Sequence, residues 1–133
     1  MLSRKLRGFL GERRVARLAT VGRDGFPHVV TIWFARDRDD LVFACERGDQ
    51  KVRNALRNPR AAAVIGGDPK RDDAGYMIQG TLTVEDDPDH AVGRRIAGRY
   101  LSQRRVEKFL SDYGSNGPVT LRLHPTKVIR VWW

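Results

Sequence analysis

Residues 15–46 read VARLATVGRDGFPHVVTIWFARDRDDLVFACE, and the fold turns on them. Val15, Arg17 and Ala19 alternate with Ala16, Leu18 and Thr20, the period of a half-buried strand. The Asp24-Gly25 step marks a turn. FPHVVTIWFA, residues 26–35, is β-branched and aromatic, with Pro27 at its start, where a missing N–H is tolerated. RDRDD, residues 36–40, is a polar turn, and LVFACE, residues 41–46, reads as a third strand. Three strands on short loops predict an antiparallel meander.

Working outward, Leu2, Leu6, Phe9 and Leu10 have helical spacing, and Gly8 and Gly11 keep that helix short. After residue 46 a helix carries Val52, Ala55 and Leu56 on its apolar side. It ends at Asn58, because the residue before Pro59 is pushed out of the helical region. Residues 61–67 form a buried strand and 68–75 a loop. Residues 76–86 form a long alternating strand in which Gly80 marks a bulge. Residues 87–101 form a helix with Asp87 as N-cap, and Val92, Ile96 and Tyr100 or Leu101 face inward. Residues 104–114 make a short helix. Residues 117–125 and 126–133 make two closing strands, with His124, Pro125 and Thr126 between them. The expectation is a single domain over residues 1–133, mainly β (α+β), a six- to seven-stranded antiparallel barrel with peripheral helices.

The net charge of the 133 residues is +9, with arginine far commoner than lysine. Such a balance favours anionic partners. The basic segments carry no nucleic-acid recognition motif and no aromatic-interleaved platform, so nucleic acid is disfavoured as a partner. No apolar run approaches a membrane span, and the N-terminus is too charged for a signal peptide, so the expected location is cytoplasmic. The single Cys45 lies in an apolar run and reads as a buried, inert thiol. There is no metal-ligand spacing, no Walker-type or dinucleotide-binding glycine pattern and no nucleophile elbow. No catalytic residue can be named from the sequence. If the chain is an enzyme, a cofactor supplies the chemistry.

Two stretches offer cofactor chemistry. In FACERGDQKVRNALRNP, residues 43–59, a strand runs through Arg47, Gly48 and Asp49 into a helix with Lys51 in its first turn. Helix N-termini attract anions, and Lys51 and Asn54 lie three apart on one face. The stretch is either a phosphate site or a solvated helix end capped by Asp49. In VVTIWF, Thr31 and Trp33 point to one face and Val30, Ile32 and Phe34 to the other, so a planar ring could lie against it. The alternative is a strand covered on both sides.

Taken in order, an Ala-Thr strand, an Asp-Gly turn, PHVVTIWF, a further strand and RGDQKVRNALRNPR resemble the pyridoxamine 5′-phosphate oxidase-like split β-barrel superfamily. Within it, the chain looks most like the short-chain flavin/deazaflavin oxidoreductase branch. The likeness is strongest over residues 19–66 and looser over 76–84, the arginine-rich helix and the last strands. It implies a split barrel and a homodimer with two cofactor sites at the subunit interface. It places Val30, Thr31, Ile32 and Trp33 along the ring system, with Arg47, Gln50, Lys51 and Asn54 toward the phosphate. Tyr76 and Trp132 are additions to the pocket lining. The implied activity is hydride transfer from the reduced deazaflavin coenzyme F-420 to an unsaturated small molecule. Flavin mononucleotide (FMN) is the alternative cofactor, and some relatives bind haem or another tetrapyrrole without catalysis. The biosynthetic oxidases carry an arginine on the second strand, where this sequence has His28, Val29 and Val30, and they continue beyond the position matching Trp133. Vitamin B6 oxidation is therefore not expected.

Overall fold

The computed structural model describes residues 2–112 and 117–132, the side chain of Trp132 excepted. Helix α1 (Arg4–Gly11) is followed by β1 (Ala16–Val21), β2 (Pro27–Ile32), β3 (Ala35–Asp37) and β4 (Asp40–Glu46). Then come α2 (Gln50–Arg57), β5 (Arg60–Gly66), β6 (Gly75–Asp86), α3 (Ala91–Ala97), α4 (Gln103–Asp112) and β7 (Pro118–Trp132). Ser3 caps α1 by accepting the Leu6 N–H at 3.1 Å.

The strands form one seven-stranded antiparallel sheet in the order β2-β1-β5-β6-β7-β4-β3. The sheet curls but does not close, since β2 and β3 are its two edges. This corrects the simple meander. FPHVVTIWFA is not one strand, because the ladder stops at Ile32 and resumes at Ala35. Trp33 and Phe34 carry the chain from one edge of the sheet to the other, and Phe34 is fully buried. Leu6 and Leu10 of α1, Val52 and Ala55 of α2, and the inward side chains Leu18, Phe43, Ile65, Ile78, Leu121 and Leu123 fill the interior.

Two further expectations change. The closing segment is one 15-residue strand, not two. Its partner register slips between Gln79 and Gly80, so that Gly80 faces Pro125 while Gln79 faces Lys127. Thr126 is thus absorbed as a bulge and no turn is needed. The helix expected over residues 87–101 is divided: a 3₁₀ turn, Pro88–His90, precedes α3, and Asp89 and His90 both have positive φ. The Asp87 carboxylate caps α3 from a distance, accepting the N–H groups of Val92 and Gly93 at 2.9 Å each. The expected end of α4 at Tyr113 and Gly114 lies outside the described residues. Among those described, no helix is long and apolar enough to cross a membrane, and no group of His, Cys, Asp and Glu could hold a metal ion. Cys45 is buried, and burial pushes its thiol pKa up to about 12.

Candidate functional site

The break after β2 shapes the site. Phe34 donates its N–H to the Tyr100 hydroxyl at 3.3 Å, and that hydroxyl is within reach of the carbonyls of Arg14 and Phe34. Arg99 reaches the Phe34 and Glu12 carbonyls. These bonds fix the crossing strand and hold the Trp33 indole flat on Tyr100, with ring centroids 4.8 Å apart and planes within 6°. Phe109 of α4 meets the same indole at 5.2 Å. Burial raises the Tyr100 pKa, and its hydroxyl is committed to backbone groups. Tyr100 is therefore a brace for Trp33, not a free proton donor.

Beside the indole lies a cleft of ≈ 270 Å³. Thr31, Ile32 and Trp33 form one wall. Gly93, Ile96 and Ala97 of α3 with Phe109 form the other, Val15 and Ala44 complete it, and Lys51 of α2 reaches in. Among the residues lining it, Thr31, Trp33 and Lys51 carry side-chain donors. The volume is just under the roughly 300–1,000 Å³ of ligand pockets, enough for a flat ring system but not for a whole extended coenzyme.

Lys51 is positioned by Asp49. The Asp49 carbonyl accepts the first helical N–H groups, from Val52 and Arg53, at 3.0 Å each. Its carboxylate does not cap the helix. It turns back instead to the Glu46 N–H at 3.0 Å and to Lys51 Nζ at 3.2 Å. With the Lys51 side chain only 15% exposed, the ammonium is held at the cleft by a partly buried pair.

Four of the sequence-derived residues, Thr31, Ile32, Trp33 and Lys51, therefore meet in one cleft. Val30 packs into the main core from the same strand. The others lie elsewhere. Asn54 is fully buried: it donates to Thr20 Oγ1 at 3.0 Å and accepts from Gln50 at 2.8 Å and Arg57 at 3.0 Å, pinning α2 to β1. Although three residues from Lys51, it faces the sheet and not the cleft. Gln50 lines a neighbouring cleft with His28. Arg47 pairs with Asp86. Tyr76 packs edge-on against Phe9 at 5.0 Å, in a hollow beside α1. Trp132 is placed in β7 by its backbone, and its side chain is outside those described. Helical spacing marks Ile96 as a core residue, and that same spacing puts it on the face of α3 that walls the cleft. Phe109 had no comparable signal.

The cleft fits a flat, phosphorylated ring system on its own chemistry: apolar walls, a stacked indole and a single positioned cation. No curated protein sequence matches the chain significantly. Among solved structures, an F420 reductase is 26% identical over 92% of this chain and 94% of its own, with a TM-score of 0.77. The conserved hypothetical protein Rv2991 from Mycobacterium tuberculosis is 22% identical over 99% of this chain and 84% of its own, with a TM-score of 0.81. HutZ, the heme storage protein from Vibrio cholerae, is 15% identical over 98% and 96%, with a TM-score of 0.71, a likeness of fold alone. The family model described as pyridoxamine 5′-phosphate oxidase matches residues 2–131, nearly the whole chain, and the chain belongs to that family.

Proposed function

We propose that this protein is an oxidoreductase that binds the reduced deazaflavin coenzyme F-420 and passes hydride to an unsaturated small molecule. The observation that carries the reading is the convergence of Thr31, Ile32, Trp33 and Lys51 from two separate elements on one apolar cleft. The likeness to an F420 reductase over nearly the full length of both chains supports the choice of cofactor, and FMN is the alternative. Bound in the cleft, the coenzyme would supply the hydride.

The residues of this chain have four tasks in that reading. Trp33, fixed by Tyr100 and Phe109, gives the ring a rigid wall. Ile32 and Ile96 keep water from it. Lys51 meets the phosphate, its charge held in place by Asp49. Thr31 and the indole N–H offer hydrogen bonds at the mouth.

A cleft of this size leaves most of the coenzyme outside it, which agrees with a site completed by a second copy of the chain. The face for that copy is the outer side of β2, β1, β5 and β6. There Val29, Ala19, Ala62 and Gln79 form one register row, and Val29 is 61% exposed.

The test is turnover. With reduced F-420 and an activated alkene or quinone, loss of the reduced coenzyme should depend on the protein and should fall at least about tenfold in Trp33→Ala, since a large buried ring contributes a few kcal/mol of contact. Turnover with reduced FMN alone would promote the alternative, and none with either would leave a non-catalytic binding role.

A further inference from the structure

The connector between α1 and β1, residues 11–14, is gripped from two sides. On one flank Arg99 reaches the Gly11 and Glu12 carbonyls at 3.3 and 2.9 Å. There too the Tyr100 hydroxyl donates to the Arg14 carbonyl, the nearer of its two carbonyl acceptors. On the other flank lies the loop between β5 and β6, residues 67–74. Arg71 of that loop donates to the Arg13 carbonyl. Asp72 meets the Arg14 side chain, its Oδ1 accepting from Nε at 3.0 Å.

Arg14 and Asp72 form a buried pair, with side chains 9% and 2% exposed. Arg14 Nη1 donates to the Phe9 carbonyl at 2.8 Å, and the guanidinium lies 3.8 Å from the centre of the Phe9 ring. The second Asp72 oxygen accepts the Asp68 N–H at 3.1 Å, so the same carboxylate shapes its own loop. A buried ion pair adds little net stability once both charges are desolvated. A planar guanidinium that meets a carboxylate, a carbonyl and a ring face at once is instead held in one orientation.

That orientation reaches the ring cleft. The residue after Arg14, Val15, lines the cleft, and Tyr100, bonded to the Arg14 carbonyl, carries the ring on which Trp33 is stacked. None of residues 67–74 lines the cleft itself. We propose that Asp72 and Arg14 are positioning residues for that cleft: the pair fixes the Arg14 carbonyl, the carbonyl fixes the Tyr100 hydroxyl, and Tyr100 sets the plane of the Trp33 wall. The loop between β5 and β6 thereby controls the shape of a cleft it does not touch. Only the identity of the cleft's ligand rests on the proposed function.

Protein labelled with 5-fluorotryptophan tests this by fluorine NMR, the Trp33 resonance being assigned with Trp33→Phe. Asp72→Asn keeps the shape of the side chain and removes its charge. In that variant the Trp33 resonance should shift or broaden well below the melting temperature. Affinity for FMN should fall about three- to tenfold, the range for a residue that acts on a site through contacting neighbours. In a Tyr100→Phe background, where the hydroxyl link is gone, Asp72→Asn should lower the affinity no further. Arg14→Lys keeps the buried charges paired, but an ammonium does not reproduce the guanidinium's fork. It should give the same changes in smaller measure, and it decides the question alone if Asp72→Asn does not fold. Leu82→Ala, at a core leucine toward the far end of β6, is the control for stability. It should lower the melting temperature and leave the Trp33 resonance and the FMN affinity as they are. An unmoved Trp33 resonance in both pair variants, an equal shift in Leu82→Ala, or Asp72 and Tyr100 effects that simply add overturns the positioning role. Binding of F-420 by the wild-type protein would then leave the proposed function standing. A moved resonance without binding of F-420 or FMN does the reverse.

Discussion

Among the described residues, Lys51 is the one cation lining the apolar cleft, and its side chain is held in place. Its ammonium lies beside an apolar cleft, tethered to Asp49 at 3.2 Å, so a phosphate would meet a charge already in place. Lys51→Ala would remove that charge and leave the Asp49 carboxylate to repel the phosphate. A charge-assisted hydrogen bond is worth roughly 1.5–3 kcal/mol. FMN, with one phosphate and no carboxylate chain, should therefore bind at least about tenfold more weakly to Lys51→Ala, with smaller losses for Arg53→Ala and Arg57→Ala. Isothermal titration of the three variants checks this, and equal small losses would contradict a localised phosphate site. The sequence places Trp33 at the end of a β-branched run and Lys51 in the first turn of the next helix, and the structure brings both to one cleft. Asn54 does not join them. Its partner Thr20 lies 34 residues away, and no local pattern tells a buried asparagine from a ligand-facing one. Tyr76 packs edge-on against Phe9 and lines a separate hollow beside α1, a placement that no local pattern in the sequence marks.

At the scale of elements, alternation placed nearly every strand but not its partners. The 26–35 run has no polar or glycine signal at Trp33 and Phe34, so nothing in it marks the crossing from one sheet edge to the other. Tertiary hydrogen bonds from Arg99 and Tyr100 make that break. His124, Pro125 and Thr126 read as a break between two strands, yet β7 runs through them because a bulge takes up the extra residue. Gly80 makes the bulge possible: a Cβ there would lie 2.0 Å from the His124 carbonyl oxygen, inside any allowed contact. Gly80→Ala should therefore force β6 and β7 apart and cost about 3 kcal/mol, the upper end for overpacking, read as a large fall in melting temperature. Gly8→Ala is the control. A Cβ at Gly8 in α1 meets nothing within 4 Å, so that variant should gain up to about 1 kcal/mol from helix propensity. Similar losses in both would contradict the close approach at Gly80.

For the whole molecule, the curled sheet leaves an outer face on β2, β1 and β5 where an apolar row lies beside the exposed Arg17. Val29, Ala19 and Ala62 cross three strands there, and an exposed apolar patch on a small chain commonly marks a contact. Sedimentation at micromolar concentration should give a dimer, and Val29→Glu a monomer, because a charge at the centre of an apolar contact is desolvated without a partner. A monomeric wild-type protein would contradict the shared site. Family and fold class were legible because the order of short motifs in residues 19–66 is more specific than any of them alone. Which cofactor is bound was not, because a ring-sized cleft and one cation suit several phosphorylated rings. The measurement that bears most directly on the central claim is therefore a fluorescence titration of the protein with F-420 and with FMN, at low and at high salt. Saturable quenching of tryptophan fluorescence is expected with both, tighter for F-420 and much reduced in Trp33→Ala. Added salt should erode the F-420 advantage, because exposed charges are screened beyond about 8 Å at physiological ionic strength, while the quenching through Trp33 persists. Tighter binding of FMN at both salt concentrations, or quenching unchanged in Lys51→Ala, would contradict it.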